Sequence, residues 1–279
     1  LVSAVRAPVA YHPIAVEKVR YAGEPVALVA AEDRYIAEDA AELIACDFEP
    51  LAAVVDPLAA LSEEAPVLHE AAAGNLVHER EFAYGDPATA FSSAVEVVKL
   101  KWRYPRQSST PMETYGAIAH YETAPDRYSI WSNFQGPFIL QPLMARALRI
   151  SSNQLRLISA PYSGGSFGIK QGLYPYLVLL AAASRLLGCP LKWTEDRLEH
   201  LSGSSSASDR ADAIEAAFDD EGQLIGLRYD NCVNVGAYVR APEPASVYRM
   251  HAASNGCYKV RHIGVWNRPV SYTHQTLPT

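Results

Sequence analysis

Apolar stretches along this chain predict short strands and two main helices. Mainly apolar runs at residues 25–30 and 155–160 are typical of strands. The pattern that follows Asp33 predicts a helix over residues 34–45, because aspartate is a preferred N-cap residue. Residues 173–187 predict a buried helix, since this segment contains polar residues and is too short to cross a bilayer.

The rest of the chain mixes strand and helix patterns. Turn residues at 124–126 and 219–222 predict two β-hairpins, the second with arms over 212–218 and 224–235. We therefore expect an α+β fold. The other predicted elements are strands over 96–104, 117–121, 128–132 and 191–194 and a helix over 138–148.

Composition sets the number of domains and excludes some partners. The chain has 279 residues, of which 49% are hydrophobic, which is enough for two domains with cores of their own. An Ala-, Pro- and Glu-rich stretch predicts a linker, so we place an N-terminal α/β domain at 1–60, the linker at 61–74 and a second domain at 75–269. Residues 270–279 are interpreted as a foreign or truncated tail. The net charge of −7 argues against a nucleic-acid partner.

The most informative local feature is the glycine loop, which we define as residues 163–170. Three of its first six residues are glycine, so bare backbone can approach a ligand and its N–H groups can converge on an anion or an oxo group. An ordinary strand-to-helix turn is the alternative interpretation. The four cysteines and eight histidines are dispersed, so no metal ligand is predicted and the cysteines are interpreted as buried thiols.

Several motifs, in order along the chain, resemble the molybdenum-binding large subunit of the xanthine dehydrogenase and aerobic carbon monoxide dehydrogenase family. The resemblance implies a hammerhead-like N-terminal domain followed by part of a mixed α+β domain that binds the molybdenum cofactor. The middle motifs are more similar to the carbon monoxide dehydrogenase branch. The motifs lie at residues 19–27, 37–43, 111–114, 131–137, 163–170, 192–197, 248–250 and 256–260.

The same resemblance implies roles for particular residues. Gln135 precedes Phe167 by 32 positions, which is similar to the family spacing between the glutamine that donates to the molybdenum oxo ligand and the loop phenylalanine. A neutral amide suits that role because it donates without adding charge. A loop glutamine bonded to backbone and a core phenylalanine are the alternatives. The residues implied to bind the cofactor are Gly164, Gly165, Ser166, Phe167 and Gly168.

Three further side chains are candidates for the substrate side of the site. Arg249 resembles the arginine that orients substrate, although an ion pair with Glu243 is an equal alternative. Gln171 stands where xanthine-type relatives have a glutamate that hydrogen-bonds a purine, which argues against purine hydroxylation. Glu113 is interpreted as a surface carboxylate at a strand end.

For the complete protein, the resemblance implies a molybdenum hydroxylase that oxidises a small aldehyde, an N-heterocycle or carbon monoxide with water as oxygen source. Its cofactor would be molybdopterin with molybdenum, in the cytosine dinucleotide form. Electrons would pass to an iron–sulfur small subunit and an FAD-binding medium subunit, in a cytoplasmic dimer of heterotrimers with no membrane span. The 279 residues alone are expected to be inactive. The alternative is a non-catalytic scaffold or binding module derived from this family.

Overall fold

The computed structural model describes residue 9 and residues 11–207, 209–239 and 253–271. These residues form two β-sheets with helices packed around them. The helices are α1 (Arg34–Glu42), α2 (Pro87–Ser92), α3 (Pro137–Leu148), α4 (Pro175–Leu187) and α5 (Arg197–Gly203). The strands are β1 (Arg80–Tyr84), β2 (Glu96–Tyr104), β3 (Gly116–Glu122), β4 (Arg127–Ser132), β5 (Leu155–Ser159), β6 (Leu191–Thr194), β7 (Arg210–Phe218), β8 (Leu224–Asn234) and β9 (His262–Val270).

The four-stranded sheet has the order β5-β4-β3-β6. Strands β3 and β4 form a hairpin, β6 pairs antiparallel with β3, and β5 pairs parallel with β4 after the crossover through α3. Helices α3 and α4 pack against this sheet and supply Leu140, Met144 and Leu177, which are fully buried. Each such side chain contributes roughly 1.5–3 kcal/mol through its removal from water.

The five-stranded sheet has the order β1-β9-β8-β7-β2, in which only β8 and β9 are parallel. The hairpin of β7 and β8 forms its centre, and the turn places Gly222 at φ +76°. Strand β2 is an edge strand. Its apolar side chains at alternate positions are exposed, namely Val98, Leu100, Trp102 and Tyr104.

Local signals explain where the main helices begin and end. Asp33 accepts a hydrogen bond from the Ile36 N–H at the start of α1. Helix α4 has proline at its first position, where no backbone donor is needed, and ends at Gly188 with φ +68°. Helix α1 has no buried residue, so it rests on these local signals far more than on packing.

The α+β class is confirmed, and most elements lie where the sequence places them. Strands 96–104 and 191–194 have the predicted bounds, and both predicted hairpins form. The prediction of a strand over residues 25–30 is wrong, because this apolar run pairs with no other strand in the described chain. The elements that the sequence analysis missed are β1, β9, α2 and α5.

The N-terminal segment contacts the rest of the protein through an apolar cluster that includes Val9 and Tyr11 and through several polar groups. Glu24 is buried and accepts hydrogen bonds from the Tyr238 hydroxyl at 2.6 Å and the Arg20 N–H at 2.5 Å. Gly23 has φ +87°, and a Cβ atom there would lie 2.7 Å from the backbone of Gly203. This close approach requires glycine.

The segments predicted to be linker and tail also make contacts. Within the linker, Leu61 packs against the cluster of Ala60, Cys232 and Val270. Val270 ends β9, and the Ser271 hydroxyl donates to the carbonyl of Gly236 at 2.9 Å; residues 272–279 lie outside the described residues. In the part of the chain that the structure describes, every helix is too short or too polar to serve as a bilayer-spanning segment.

Candidate functional site

Four loops meet at one end of the four-stranded sheet. Strand β3 runs opposite to the other three strands, so its start lies beside the ends of β4, β5 and β6. The loops concerned are residues 111–115 before β3, 133–136 after β4, 160–171 after β5 and 195–196 after β6. The topology therefore brings together motifs that are far apart in the sequence.

The backbone of the glycine loop adopts conformations that side chains resist. Gly165, Phe167 and Gly168 have φ of +102°, +49° and +92°. A Cβ atom on Gly164 would lie only 2.5 Å from the Cβ atom of Glu113, so the two loops can approach this closely only with glycine there. Phe167 is 76% exposed, so it is not part of a core formed by the described residues.

The glycine loop presents several backbone donors together. The N–H groups of the four residues from Gly165 to Gly168 have no acceptor among the described residues. A Cβ atom built on Gly168 would meet nothing within 4 Å, so open space lies beside the loop. Unpaired backbone donors beside open space suit an anionic or oxo-bearing ligand.

Gln135 lies against this loop. Its backbone N–H donates to the carbonyl of Lys170 at 2.9 Å, and its side-chain Oε1 accepts from the Ser166 hydroxyl. The side-chain nitrogen has no acceptor among the described residues. The structure thus brings Gln135 and Ser166 together. The alternative of a loop glutamine bonded to backbone does not describe this side chain, because its oxygen accepts from a serine hydroxyl.

Glu113 is not the simple surface carboxylate that the sequence suggested. It pairs with the ammonium group of Lys170, whose side chain is completely buried, and it accepts the Gly164 N–H at 3.1 Å. Partial burial raises the pKa of Glu113, but hydrogen bonds from Lys170, Asn133 and Gly164 outweigh this effect and lower the pKa overall. The interpretation failed because the partner lysine lies 57 residues further along the chain.

A second buried polar group supports the loop before β3. The carboxylate of Glu195 accepts the Tyr115 N–H at 2.8 Å and lies 2.9 Å from Nδ1 of His200. The other ring nitrogen of His200 lies 3.2 Å from the carbonyl of Ser109, and Arg197 donates to the carbonyl of Pro111 at 2.9 Å. Sequence analysis missed these supports, and the capping pattern of α5, in which Asp196 is the N-cap and Glu199 its partner, was the one available signal.

The remaining predicted residues differ in what the structure shows. Gln171 ends a short 3-10 helix, is half-buried and donates its backbone N–H to the Gly168 carbonyl at 3.3 Å. Arg249 lies outside the described residues. The described ranges hold no group of three or more His, Cys, Asp or Glu side chains arranged to ligate a metal ion.

The donors in this site fit the molybdenum cofactor better than they fit a bare metal ion. Backbone N–H groups and the free nitrogen of a glutamine amide donate to acceptor atoms, and the glycine positions leave room for a large group to approach. The residues that would hold the group are Gly164, Gly165, Ser166, Phe167 and Gly168, with Gln135 beside them.

Sequence comparison assigns this arrangement to a family. Residues 68–279 match the molybdopterin cofactor-binding domain, and residues 4–52 match the a/b hammerhead domain of aldehyde oxidase and xanthine dehydrogenase. The chain therefore belongs to the aldehyde oxidase and xanthine dehydrogenase family of molybdopterin-binding proteins.

Individual relatives agree with this assignment. The chain is 38% identical over 234 residues to the gamma subunit of the 6-hydroxypseudooxynicotine dehydrogenase complex of Paenarthrobacter nicotinovorans, covering 84% of this chain and 29% of that protein. It is 34% identical over 244 residues to the carbon monoxide dehydrogenase large chain of Hydrogenophaga pseudoflava, covering 83% of this chain and 30% of the relative.

A solved structure extends the similarity to the fold. Quinoline 2-oxidoreductase from Pseudomonas putida 86 superposes with a TM-score of 0.88 at 32% identity, covering 99% of this chain and 35% of that one. The chain thus spans 29% and 30% of the two curated relatives.

Proposed function

We propose that this chain is the cofactor-binding part of a molybdenum hydroxylase large subunit. The observation that supports this most is the position of Gln135, whose side chain bonds Ser166 in the glycine loop, where four backbone N–H groups are unpaired among the described residues. When bound, the molybdenum cofactor supplies oxidation of an electrophilic carbon with water as the oxygen source.

The residues of this chain bind the cofactor and orient the substrate. The amide nitrogen of Gln135 donates to an acceptor atom of the cofactor, and the loop N–H groups stabilise negative charge on it. The exposed ring of Phe167 forms a wall that excludes water. Arg249 orients the substrate, because a guanidinium stays charged and binds planar acceptors with two parallel hydrogen bonds.

The substrate class follows from Gln171. An amide keeps its NH₂ donor and its carbonyl acceptor at every pH, so it cannot offer a purine the ionised or protonated carboxyl group of the xanthine-type glutamate. The proposed substrates are therefore small aldehydes, N-heterocycles with few polar groups or carbon monoxide. The names of three relatives fall within this range, since one names 6-hydroxypseudooxynicotine, one carbon monoxide and one quinoline, whereas two relatives at 32% and 30% identity are named as xanthine dehydrogenase subunits.

A substrate panel tests this assignment. In the full-length enzyme, purines should be oxidised at least about 10-fold more slowly than the best aldehyde or N-heterocycle, because each unpaired buried polar group costs about 1–3 kcal/mol. Gln171→Glu should reduce this difference between the oxidation rates. Xanthine turnover equal to that of the best aldehyde in the unchanged enzyme would rule out the assignment.

The cofactor form and the partners are also part of the proposal. The cofactor is the cytosine dinucleotide of molybdopterin, and electrons leave through an iron–sulfur small subunit and an FAD-binding medium subunit in a cytoplasmic dimer of heterotrimers. Support comes from two relatives that are themselves a gamma subunit of a complex and a large chain. Because the chain spans less than a third of those proteins, the 279 residues alone should neither hold the cofactor nor turn over.

The decisive test is Gln135→Ala in the full-length protein assembled with its partner subunits. Loss of one hydrogen bond to a charged centre, worth about 1.5–3 kcal/mol, should reduce turnover by roughly 10- to 100-fold while folding stays intact. Gln223→Ala, in the exposed turn between β7 and β8, is the matched control and should leave turnover unchanged.

Two outcomes would contradict the proposal. An unchanged rate at full molybdenum occupancy in Gln135→Ala would show that Gln135 is not the donor. A correctly assembled wild-type complex without molybdenum would favour the non-catalytic scaffold instead.

A further inference from the structure

The hydroxyl of Ser166 connects the glycine loop to the neighbouring loop. It donates to Oε1 of Gln135 and accepts the backbone N–H of Lys170 at 3.2 Å. Among the described residues, the hydroxyl has no other acceptor than Gln135. If the Gln135 amide were rotated by half a turn, its NH₂ group would face Ser166, and the hydroxyl hydrogen would lose its acceptor.

Ser166 therefore selects one of two orientations of the Gln135 amide. The terminal torsion of a glutamine side chain is broad and roughly two-fold, so packing alone distinguishes poorly between the amide oxygen and the amide nitrogen. With Oε1 bonded to Ser166, the nitrogen is the atom left free for a ligand. The opposite orientation would present an oxygen to the negatively polarised atoms of the cofactor.

The backbone holds this hydroxyl in place. The Ile169 N–H donates to the Ser166 carbonyl at 3.2 Å, and the Gln135 N–H donates to the carbonyl of Lys170 at 2.9 Å. Because the Lys170 side chain is completely buried, both loops are tied to the protein interior. If the Ser166 hydroxyl is removed, a small shift of either loop therefore cannot restore the hydrogen bond to Gln135.

We propose that Ser166 is a positioning residue that fixes the Gln135 amide with its nitrogen toward the cofactor. This inference rests on the proposed function, and it adds a residue that acts through Gln135. It predicts that the serine matters only as long as the glutamine is present.

A double-mutant cycle in the full-length complex tests this dependence. Ser166→Ala should lower kcat about 3- to 10-fold with little change in KM, as expected for one neutral hydrogen bond. Ser166→Thr keeps the hydroxyl and should restore most of the rate. In a Gln135→Ala background, Ser166→Ala should cause no further loss.

Two readouts do not depend on turnover. Molybdenum content per subunit should stay at the wild-type value in Ser166→Ala, and the electron paramagnetic resonance signal of the partly reduced centre should shift in the same direction as in Gln135→Ala. The exposed Ser152→Ala, outside the loop, should alter neither.

The outcomes separate this inference from the proposed function. The wild-type complex could contain molybdenum and turn over while Ser166→Ala leaves kcat and the paramagnetic signal unchanged. That result would overturn the positioning role alone. Equal losses from Ser166→Ala with and without Gln135 would also overturn it, because they would indicate a purely structural role. A wild-type complex without molybdenum would overturn both.

Discussion

Two groups of buried polar side chains in this protein differ in how fully they are hydrogen-bonded. At the end of the four-stranded sheet, Lys170, Glu195 and His200 are buried, and each has a partner on another loop. In the five-stranded sheet, Oδ1 of Asp212 and Nδ2 of Asn267 are buried without a hydrogen-bond partner among the described residues. Buried polar groups beside the candidate site therefore stabilise loops, whereas Asp212 is a local source of instability.

The sheets also differ in how well they are covered. Helix α4 lies over the four-stranded sheet and is buried along most of its length. On the five-stranded sheet, the edge strand β2 leaves its row of alternate apolar side chains in solvent. The difference indicates that packing free energy is concentrated around the sheet that positions the loops.

The largest expected effect compares two leucines. Leu177→Ala in α4 should lower the free energy of unfolding by about 2–5 kcal/mol, because it leaves a cavity in the core of the four-stranded sheet. Leu100→Ala in β2, where the side chain is 57% exposed, should change it by less than about 0.5 kcal/mol. Chemical denaturation measures both, and similar losses would show that the two sheets are equally packed.

Asp212 offers the second test. Burial raises the pKa of Asp212 to about 6, with a smaller contribution from Asp230 opposed by Arg210. Since this value lies above that of an unfolded aspartate, ionisation destabilises the folded protein above about pH 6, and the penalty disappears as the pH falls below about 4. Asp212→Asn should therefore stabilise the protein by about 1–3 kcal/mol at pH 8 and have little effect at pH 4.

A neighbouring aspartate provides the control for that measurement. Asp230 accepts a hydrogen bond from Nε of Arg268 at 3.1 Å, so Asp230→Asn should not stabilise the protein at either pH. If Asp212→Asn destabilises at pH 8, the carboxylate has a favourable partner, and the contrast between Asp212 and the paired groups beside the site fails.

The smallest effect concerns Glu113. Glu113→Gln removes the charge opposite buried Lys170 and should lower stability by about 1–2 kcal/mol at pH 7, a value reduced because the Glu113 side chain is 37% exposed. Since the pKa of Glu113 is lowered in the folded state, its contribution is present above about pH 4.3 and is lost as the pH falls through the folded pKa. The difference between variant and wild type should therefore shrink in acid.

The control is another glutamate in an ion pair. Glu122 pairs with Arg127, and both side chains are partly exposed, so Glu122→Gln should cost less than about 0.5 kcal/mol. Denaturation curves at pH 7 and pH 3.5 distinguish the two positions. Equal losses would mean that the burial of Lys170 adds nothing to its pairing.

Local patterns were enough to predict much of the fold. Strand 96–104 and the helix after Asp33 follow from alternation and capping, which need no tertiary information. Residues 25–30 show the limit of predicting strands from local patterns, because an apolar run becomes a strand only where another strand pairs with it. Strand β9 was missed because Asn267, Arg268 and Pro269 interrupt its pattern, although its side chains alternate in burial.

The site was predictable only in part, for a similar reason. The glycine loop and Gln135 could be found because glycine content and spacing are visible in the sequence. The pairs of Glu113 with Lys170 and of Glu195 with His200 depend on which loops meet at the end of the sheet. Such pairings are properties of the topology, and a single sequence does not display them.

The position of β9 has a consequence for how the protein is made. Strand β9 lies between β1 and β8, so Arg80 pairs with Asn267 near the far end of the described chain. The whole four-stranded sheet is inserted between β2 and β7 and has only internal pairings, so it can form early during synthesis. Pairing between distant segments is slow because a long loop must close first. Strand β1 is synthesised before the other described strands, and it can pair with β9 only after β9 has left the ribosome.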